Sequence, residues 1–464
     1  MSTKAVKKSI APVNPLRRDD NERLLTGWGR TAPSMAHVVR PESVDEVRDL
    51  VAKAGERGIL ARGLGRSYGD AAQAGGGTVL DMSAFDSIDL DTVHGTVTAG
   101  SGISLDALLK TLVPAGYFVP VTPGTRMITV GGAIAADVHG KNHHVEGSFG
   151  SHVHALDLVT GHGRVEDLAP TRKADHFWAT VGGMGLTGVV TKATFDLIPI
   201  TSSLISVDTV RCPDLDSVMS SMVEHDDNYR YSVAWIDSVS PSGRGVITRG
   251  DHAPSSQLDP KQAESPLAYD PKIVATAPPF VPSGLLNKFT VRAFNEAWFR
   301  KAPKSRQGEL QPIGEFFHPL DGVQEWNRVY GPGGFIQYQF VVPDSAGYLI
   351  DYALKRLREV GAPSFLTVLK RFGAANPAPL SFPQPGWTLA ADVPARVEGL
   401  GGVLDELDGL VAASGGRLYF AKDSRQSPEM VAQTYPRLAE WQGVRDQMDP
   451  RGIFTSDLAR RLSL

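Results

Sequence analysis

The period of the hydrophobic positions changes along the chain. Between residues 36 and 200, short stretches of period two alternate with stretches of period 3.6. "AHVVRP" reads as a strand, "SVDEVRDLVAKAGERG" as an amphipathic helix with Ser43 as N-cap and Glu46 at the capping-box position, and "ILAR" as a strand ending at Gly63. The strands "TVLDM" and "GTVTAGSG" and the helix "SLDALLKTLVPAG" follow. Glycine-rich corners separate these elements, which is α+β patterning. From 201 to 416 the strands carry interior polar residues, as in "YSVAWID", "FIQYQFVV", "SFLTVLKRFG" and "GWTLAADVP", with helices such as "AGYLIDYALKRLREVG" between them. This predicts a second domain, an antiparallel sheet with flanking helices. The tail from 417 to 464 ends in helix and, by pattern alone, fits either domain.

Composition narrows the function. The chain has 464 residues, 42% of them hydrophobic, enough for two large domains. Forty-seven basic and 51 acidic side chains give a net charge of −4, with no overall pull toward nucleic acid. The single cysteine, Cys212, excludes an internal disulfide and any multi-cysteine metal site. The basic N-terminus has no apolar run of signal-peptide or membrane-spanning length, and Asp19 and Asp20 follow Arg17–Arg18 where a twin-arginine signal needs an apolar segment. A soluble protein is expected.

Three glycine-rich stretches bring in chemistry. "RGLGRSYGD" (Arg62–Asp70) follows a strand and gathers Gly63, Gly65 and Gly69, so successive backbone N–H groups can converge on an anion. A dinucleotide-binding crossover fails on length, because only "DAAQAGGG" separates this loop from the next strand. "GGMGLTG" has the G-x-G-x-x-G spacing in inverted context, with helix-like "ADHFWATV" before it and the strand "VVTKATFDL" after, so it reads as a helix end and a tight corner. The third stretch runs from "TPGT" into "VGGAIAADVHGKNHH", where small residues give way to His139, Lys141, Asn142, His143 and His144. Three separated loops suit a long ligand lying across all of them. His139 and His143 have the i, i+4 spacing of metal ligands on a helix, but Gly140 interrupts that helix and no cysteine or carboxylate cluster completes a shell. No metal is expected.

These stretches, with "AKDSR" in the tail, resemble the flavin-binding signature of the vanillyl-alcohol-oxidase-type flavoproteins. Within that family the resemblance is to the branch that oxidises the 2'-hydroxyl of decaprenylphosphoryl-β-D-ribose, the first half of an epimerisation that makes the arabinose donor for cell-wall arabinan. It runs from about Asn14 to Leu464 and includes "HGKNHH", "HPLD", "PLSFP" and "AKDSR". It implies an α+β, two-domain flavoprotein: a PCMH-type FAD-binding domain over 14–200, completed by 417–464, and a substrate domain over 201–416.

By the same resemblance, Arg62, Gly63, Gly65, Arg66, Ser67, Tyr68, Gly69 and Asp70 meet the FAD pyrophosphate. Gly124, Thr129, Val130, Gly131, Gly132, Ala136, His139, Val190 and Tyr419 lie along the rest of the cofactor. Some relatives attach FAD through a histidine in the first loop; Arg66 stands there here, which implies non-covalent FAD. Tyr68, Lys141, Trp235, Phe317, Gln337, Gln339, Lys370, Thr388, Asp392 and Lys422 are implied for substrate, with Lys422 handling the proton and His139 and Lys141 orienting substrate and flavin. Relatives typically carry a cysteine at Ala390, a tyrosine at Phe317 and a serine at Val233. The alanine implies that nitroaromatic inhibitors trapping that cysteine form no bond here.

The chemistry has its own argument. Oxidising a secondary alcohol requires loss of the hydroxyl proton and positive charge beside the reduced flavin. Lysines facing an apolar cavity suit both tasks. Strand alternation places Lys370 with Leu366 and Val368, and Lys422 with Leu418 and Phe420; the alternative for each lysine is an exposed sheet edge. It also puts Gln337 and Gln339 opposite Ile336, Tyr338, Phe340 and Val342, facing either a pocket or water.

From Lys272 to Arg306 there are seven basic residues and one acidic, Glu296, interleaved with "PPFVPSGLL", "FTVRAF" and "AWF". This reads as a solvated loop or as a basic, apolar-tipped contact with the membrane surface that holds the polyprenyl phosphate. The implied partner is an NADH-dependent short-chain reductase that completes the epimerisation. The implied location is peripheral to the inner membrane, periplasmic by resemblance and cytoplasmic by sequence alone. Two alternatives stand: an FAD oxidase of another sugar, alditol or aldonolactone, and a non-catalytic polyprenyl-phosphate or metal-binding protein without flavin.

Overall fold

The computed structural model describes residues 21–282 and 284–464. Residues 1–20, with the Arg17–Arg18 pair and the start of the expected first domain, lie outside the described residues, as does Ser283 in the basic segment.

Two small sheets carry the N-terminal half. The first orders Glu22–Leu25, Ser34–Val39, Thr78–Asp81 and Ile59–Arg62, antiparallel at its outer pair and parallel within. The second orders Ile88–Asp91, Thr96–Gly100, Val189–Asp196, Val153–Val159 and Val165–Leu168, all antiparallel. Helix Val44–Ala52 has Ser43 as N-cap, but Glu46 reaches past it to the N–H of Glu42, so the expected box closes one residue early. "VGGAIA", which carried no helical expectation, forms the short helix Val130–Ala135, begun by the buried Thr129 hydroxyl accepting from the Gly132 N–H. The inverted glycine motif is a corner between helix Ala174–Thr180 and strand Val189–Asp196, with Gly182 at φ +73 and Gly185 at φ +78.

The second half is built on one eight-stranded antiparallel sheet. Its order is Ser305–Pro312, Leu204–Cys212, Gly245–His252, Tyr231–Ile236, Thr367–Phe372, Gly386–Pro394, Phe335–Val342 and Arg417–Leu418. Helices Leu215–His225, Tyr348–Glu359 and Leu400–Ala413 bury their apolar stripes on one face, against Ile236, Tyr338, Phe340, Leu389 and Val393 among others. The opposite face is left for the first half of the chain. The tail touches both units: Arg417–Leu418 closes the large sheet, whereas Phe454 bridges Ile59 and Arg461 pairs with Asp70.

A buried carboxylate ties the halves together. Asp137, at φ +40, accepts from the hydroxyls of Ser148 and Ser381, from the Gly150 N–H and from the Asn376 amide. Burial alone pushes its carboxyl up, and the four donors pull it back. Among the described residues, no helix is long and apolar enough to cross a membrane.

Candidate active site

One cavity of about 610 Å³ lies between the glycine-rich loops and the free face of the large sheet. Its two walls differ in chemistry. One wall is nearly bare backbone: Gly63, Gly65, Gly124, Gly131, Gly132, Ala135, Ala136, Gly185 and Gly188 line it. Small residues are required behind the wall as well, because a Cβ on Gly63 would stand 2.2 Å from the Thr129 hydroxyl oxygen. Gly65 has φ +63, and its missing side chain leaves room for the Arg62 guanidinium, which donates to the carbonyls of Ala72 and Thr26.

Polar groups around this wall are buried without partners. Arg66 stacks its guanidinium 3.8 Å above the Trp28 ring, and its Nε makes no hydrogen bond; the Ser101 hydroxyl is likewise unpaired. Such orphaned groups facing a cavity are costly unless a polar ligand meets them. Arg62, Arg66, Ser67, Tyr68, Thr129, Val190 and Tyr419 also line the cavity. Three residues expected on the cofactor do not. Gly69 is closed off because its Cβ position lies 1.8 Å from the Asp423 carbonyl oxygen, Asp70 is taken by Arg461, and Val130 points into the core.

The other wall carries cations on an apolar lining. Leu366, Val368 and Lys370 face the cavity together, as alternation on Thr367–Phe372 predicts. Lys422 reaches it differently. Its strand ends at Leu418, and a turn closed by the Lys422 N–H on the Tyr419 carbonyl presents Tyr419, Ala421 and Lys422 to the cavity while Leu418 and Phe420 go into the core. The expected partners are therefore replaced by their neighbours, because the chain turns where alternation assumed extension.

Lys422 Nζ sits 3.7 Å above the Tyr68 ring, and Lys141 Nζ donates to the Phe316 carbonyl over that residue's ring. Burial lowers Lys141 to about 7, with Lys370 adding repulsion, and lowers Lys370 itself to about 8. Burial depresses Lys422 too, against the opposing pull of the Asp392 carboxylate. His139 is held well below its ordinary value by burial, then by Lys370, so its ring is neutral; its Nε2 accepts from the Gln339 amide at 3.1 Å, and its Nδ1 has no partner. Among the described residues no three metal-binding side chains converge: His143 turns away to accept from the Gly373 N–H.

Gln337 and Gln339 line the cavity beside Trp235 and Phe317, and Ala390 and Val233 lie on the same wall. Thr388 and Asp392 do not reach it. Thr388 donates to the Phe340 carbonyl behind Gln339, and Asp392 sits behind Gln337, its cross-strand partner. Sequence reasoning missed Trp28, Trp298, Asp321, Glu325 and Trp326 on the cavity rim. For Trp28 a signal existed, an aromatic residue between two glycines in "TGWGR".

Comparisons with known proteins agree with this geometry. An FAD binding domain family matches residues 35–169, which include the first and third glycine stretches, and a D-arabinono-1,4-lactone oxidase family matches residues 403–462. Over 449 residues the chain is 46% identical to decaprenylphosphoryl-beta-D-ribose oxidase of Mycolicibacterium smegmatis, covering 95% of this chain and 97% of that protein. The chain belongs to that oxidase family. An uncharacterised Streptomyces coelicolor protein is 39% identical over 374 residues, 78% of this chain and all of that one. A Streptomyces alditol oxidase is 25% identical over 453 residues, 94% of this chain and 98% of that protein.

Like its family, the protein is an FAD-dependent oxidoreductase with a two-domain α+β architecture. The glycine-lined wall, with its unpaired Arg66 and Ser101 groups, fits a long anionic and planar cofactor of this kind.

Proposed function

We propose that the protein oxidises the 2'-hydroxyl of decaprenylphosphoryl-β-D-ribose to the 2'-keto sugar. The observation carrying this reading is the set of lysines: Lys141, Lys370 and Lys422 line the same largely apolar cavity as the glycine-rich loops. Proton removal and charge beside the reduced flavin use lysines in the oxidation of any secondary alcohol; a third buried lysine suits the phosphate of a phosphodiester.

Bound FAD supplies the two-electron acceptor for the carbinol carbon. The chain does the rest. Lys141 and Lys370 hold the phosphate, and anion binding restores the proton affinity that burial removed. Gln337 and Gln339 bond the sugar hydroxyls, and Trp235 and Phe317 exclude water around the ring. Lys422, stripped of solvent, accepts the 2'-hydroxyl proton, and the neutral His139 fixes Gln339. The cofactor contacts are those of the glycine wall, and with Arg66 in the first loop the FAD is held non-covalently. A separate NADH-dependent reductase then converts the keto sugar to the arabino epimer.

Substrate profiling tests this. Decaprenylphosphoryl-ribose is expected to give a product two hydrogens lighter, while xylitol and aldonolactones give no turnover; the reverse order would favour the alditol or lactone alternative.

The polyprenyl chain requires a route from a membrane. Helix Lys288–Lys301 exposes Phe289, Phe294 and Trp298 amid Lys288, Arg292, Arg300 and Lys301, and Trp298 also lines the cavity. We assign this helix to peripheral membrane contact. Neutralising Arg300, Lys301 and Lys304 together with glutamine is expected to weaken binding to anionic vesicles on the order of 100-fold, at about 1 kcal/mol per charge. Co-sedimentation unchanged by the triple variant would contradict the assignment.

A further inference from the structure

Asp392 belongs to neither cavity wall, yet it is fully buried. Its Oδ1 accepts from Gln337 Nε2, whose amide also reaches the Tyr68 hydroxyl at 3.3 Å, and the ring of that tyrosine lies under Lys422. Its Oδ2 has no partner, and among the described residues no cation stands in ion-pair contact with it. A carboxylate placed so is costly unless a nearby positive charge offsets it. Burial pushes this carboxyl up to about 7, against the Gln337 bond and, next, the field of Lys422.

We infer that Asp392 is a positioning residue for Lys422: bonded to Gln337, its carboxylate raises the proton affinity of the Lys422 amine, so that the neutral amine takes the substrate proton and holds it through the step. The inference rests on the reading of Lys422 as the proton-handling residue. Without a counter-charge, a lysine buried beside Lys370 would be too weak a base to hold the proton it takes from the substrate. The other groups facing Lys422 do not take this role. Lys370 repels it, His139 is neutral, and Tyr68 is kept un-ionised by burial. Asp423, next in the chain, is occupied by Arg461 and by the N–H groups of Arg425 and Gln426.

The test reads Lys422 without substrate. Competitive acetylation of the FAD-loaded enzyme across pH, followed by peptide mass spectrometry, gives the apparent pKa of each lysine. Asp392→Asn preserves the bond to Gln337 but removes the charge. It is expected to lower the Lys422 value by about one unit or more, seen as roughly tenfold faster acetylation at low pH. Lys370 should not move down with it, and Asp392→Glu should restore the wild-type profile. The pH profile of flavin reduction should shift downward by the same amount in the asparagine variant. An unchanged Lys422 profile in Asp392→Asn would overturn the inference, because a neutral Asp392 serving only to pin Gln337 predicts that result. If Asp392→Asn does not retain FAD, Gln337→Leu replaces it: losing the amide donor neutralises Asp392 more readily, so Lys422 must again fall, and no fall overturns the inference. A shift in labelling without activity on the ribosyl substrate would fault the substrate reading alone.

Discussion

Replacing Lys422 with methionine is expected to slow substrate reduction of bound FAD by about 10²- to 10⁴-fold, the usual loss when a positioned acid–base group is removed. Methionine keeps the length and apolar character of the stem, so the contact with the Tyr68 ring and the turn beginning at Leu418 are preserved. What disappears is the nitrogen. Among the described residues that nitrogen makes no hydrogen bond, so the groups that lose by its removal are the Asp392 carboxyl, which loses its offsetting charge, and the face of the Tyr68 ring. The loss should therefore appear in the rate of flavin reduction, with KM changed far less, since Lys141 and Lys370 are assigned the phosphate. Stopped-flow absorbance at saturating substrate separates the two. A variant with a normal reduction rate and a raised KM would make Lys422 a binding residue and move the proton-handling role elsewhere on the wall.

The second large effect concerns the cofactor wall. Gly132 lies on helix Val130–Ala135 and lines the cavity, and a Cβ built on it meets only the Thr129 hydroxyl oxygen, at 3.2 Å. The substitution Gly132→Val requires the Thr129 hydroxyl to give by a few tenths of an ångström and projects its methyl groups into the space assigned to FAD. Overpacking of this kind costs about 1–3 kcal/mol, or roughly 10- to 100-fold in affinity. The variant should purify folded by circular dichroism but with a much lower ratio of flavin to protein absorbance. The wild-type protein should carry flavin that passes into the supernatant on acid precipitation, as non-covalent attachment requires. Full flavin content in Gly132→Val would mean that FAD does not approach this helix.

The two walls were unequally legible in the sequence. The glycine wall could be read because close backbone approach leaves a compositional trace, and Gly63, Gly65, Gly131 and Gly132 do face the cavity. Gly69 has the same signature for another reason, the passage of the Asp423 backbone, and sequence cannot tell one neighbour from another. Lys370, Gln337 and Gln339 followed from strand alternation because their strands are regular. Lys422 lines the cavity by a different geometry than alternation gives, because the chain turns past Leu418 where alternation assumes extension. Asp392 is two residues from Ala390 and directly opposite Gln337, so alternation puts it on the cavity face; it stays out of the lining because the Gln337 amide is bonded over it. The rim residues Asp321, Glu325 and Trp326 show no periodicity or glycine pattern; Asp321 ends the "HPLD" stretch of the resemblance, which carried no role for it.

A single anaerobic mixing experiment tests the substrate assignment most directly. Adding decaprenylphosphoryl-ribose to the oxygen-free holoenzyme is expected to bleach the visible flavin band completely, one equivalent of substrate per flavin, while the 2'-deoxyribosyl analogue leaves it unchanged. A flavin band that persists with the ribosyl lipid and bleaches with an alditol or aldonolactone would contradict the assignment of the lysine wall to a phosphoryl sugar.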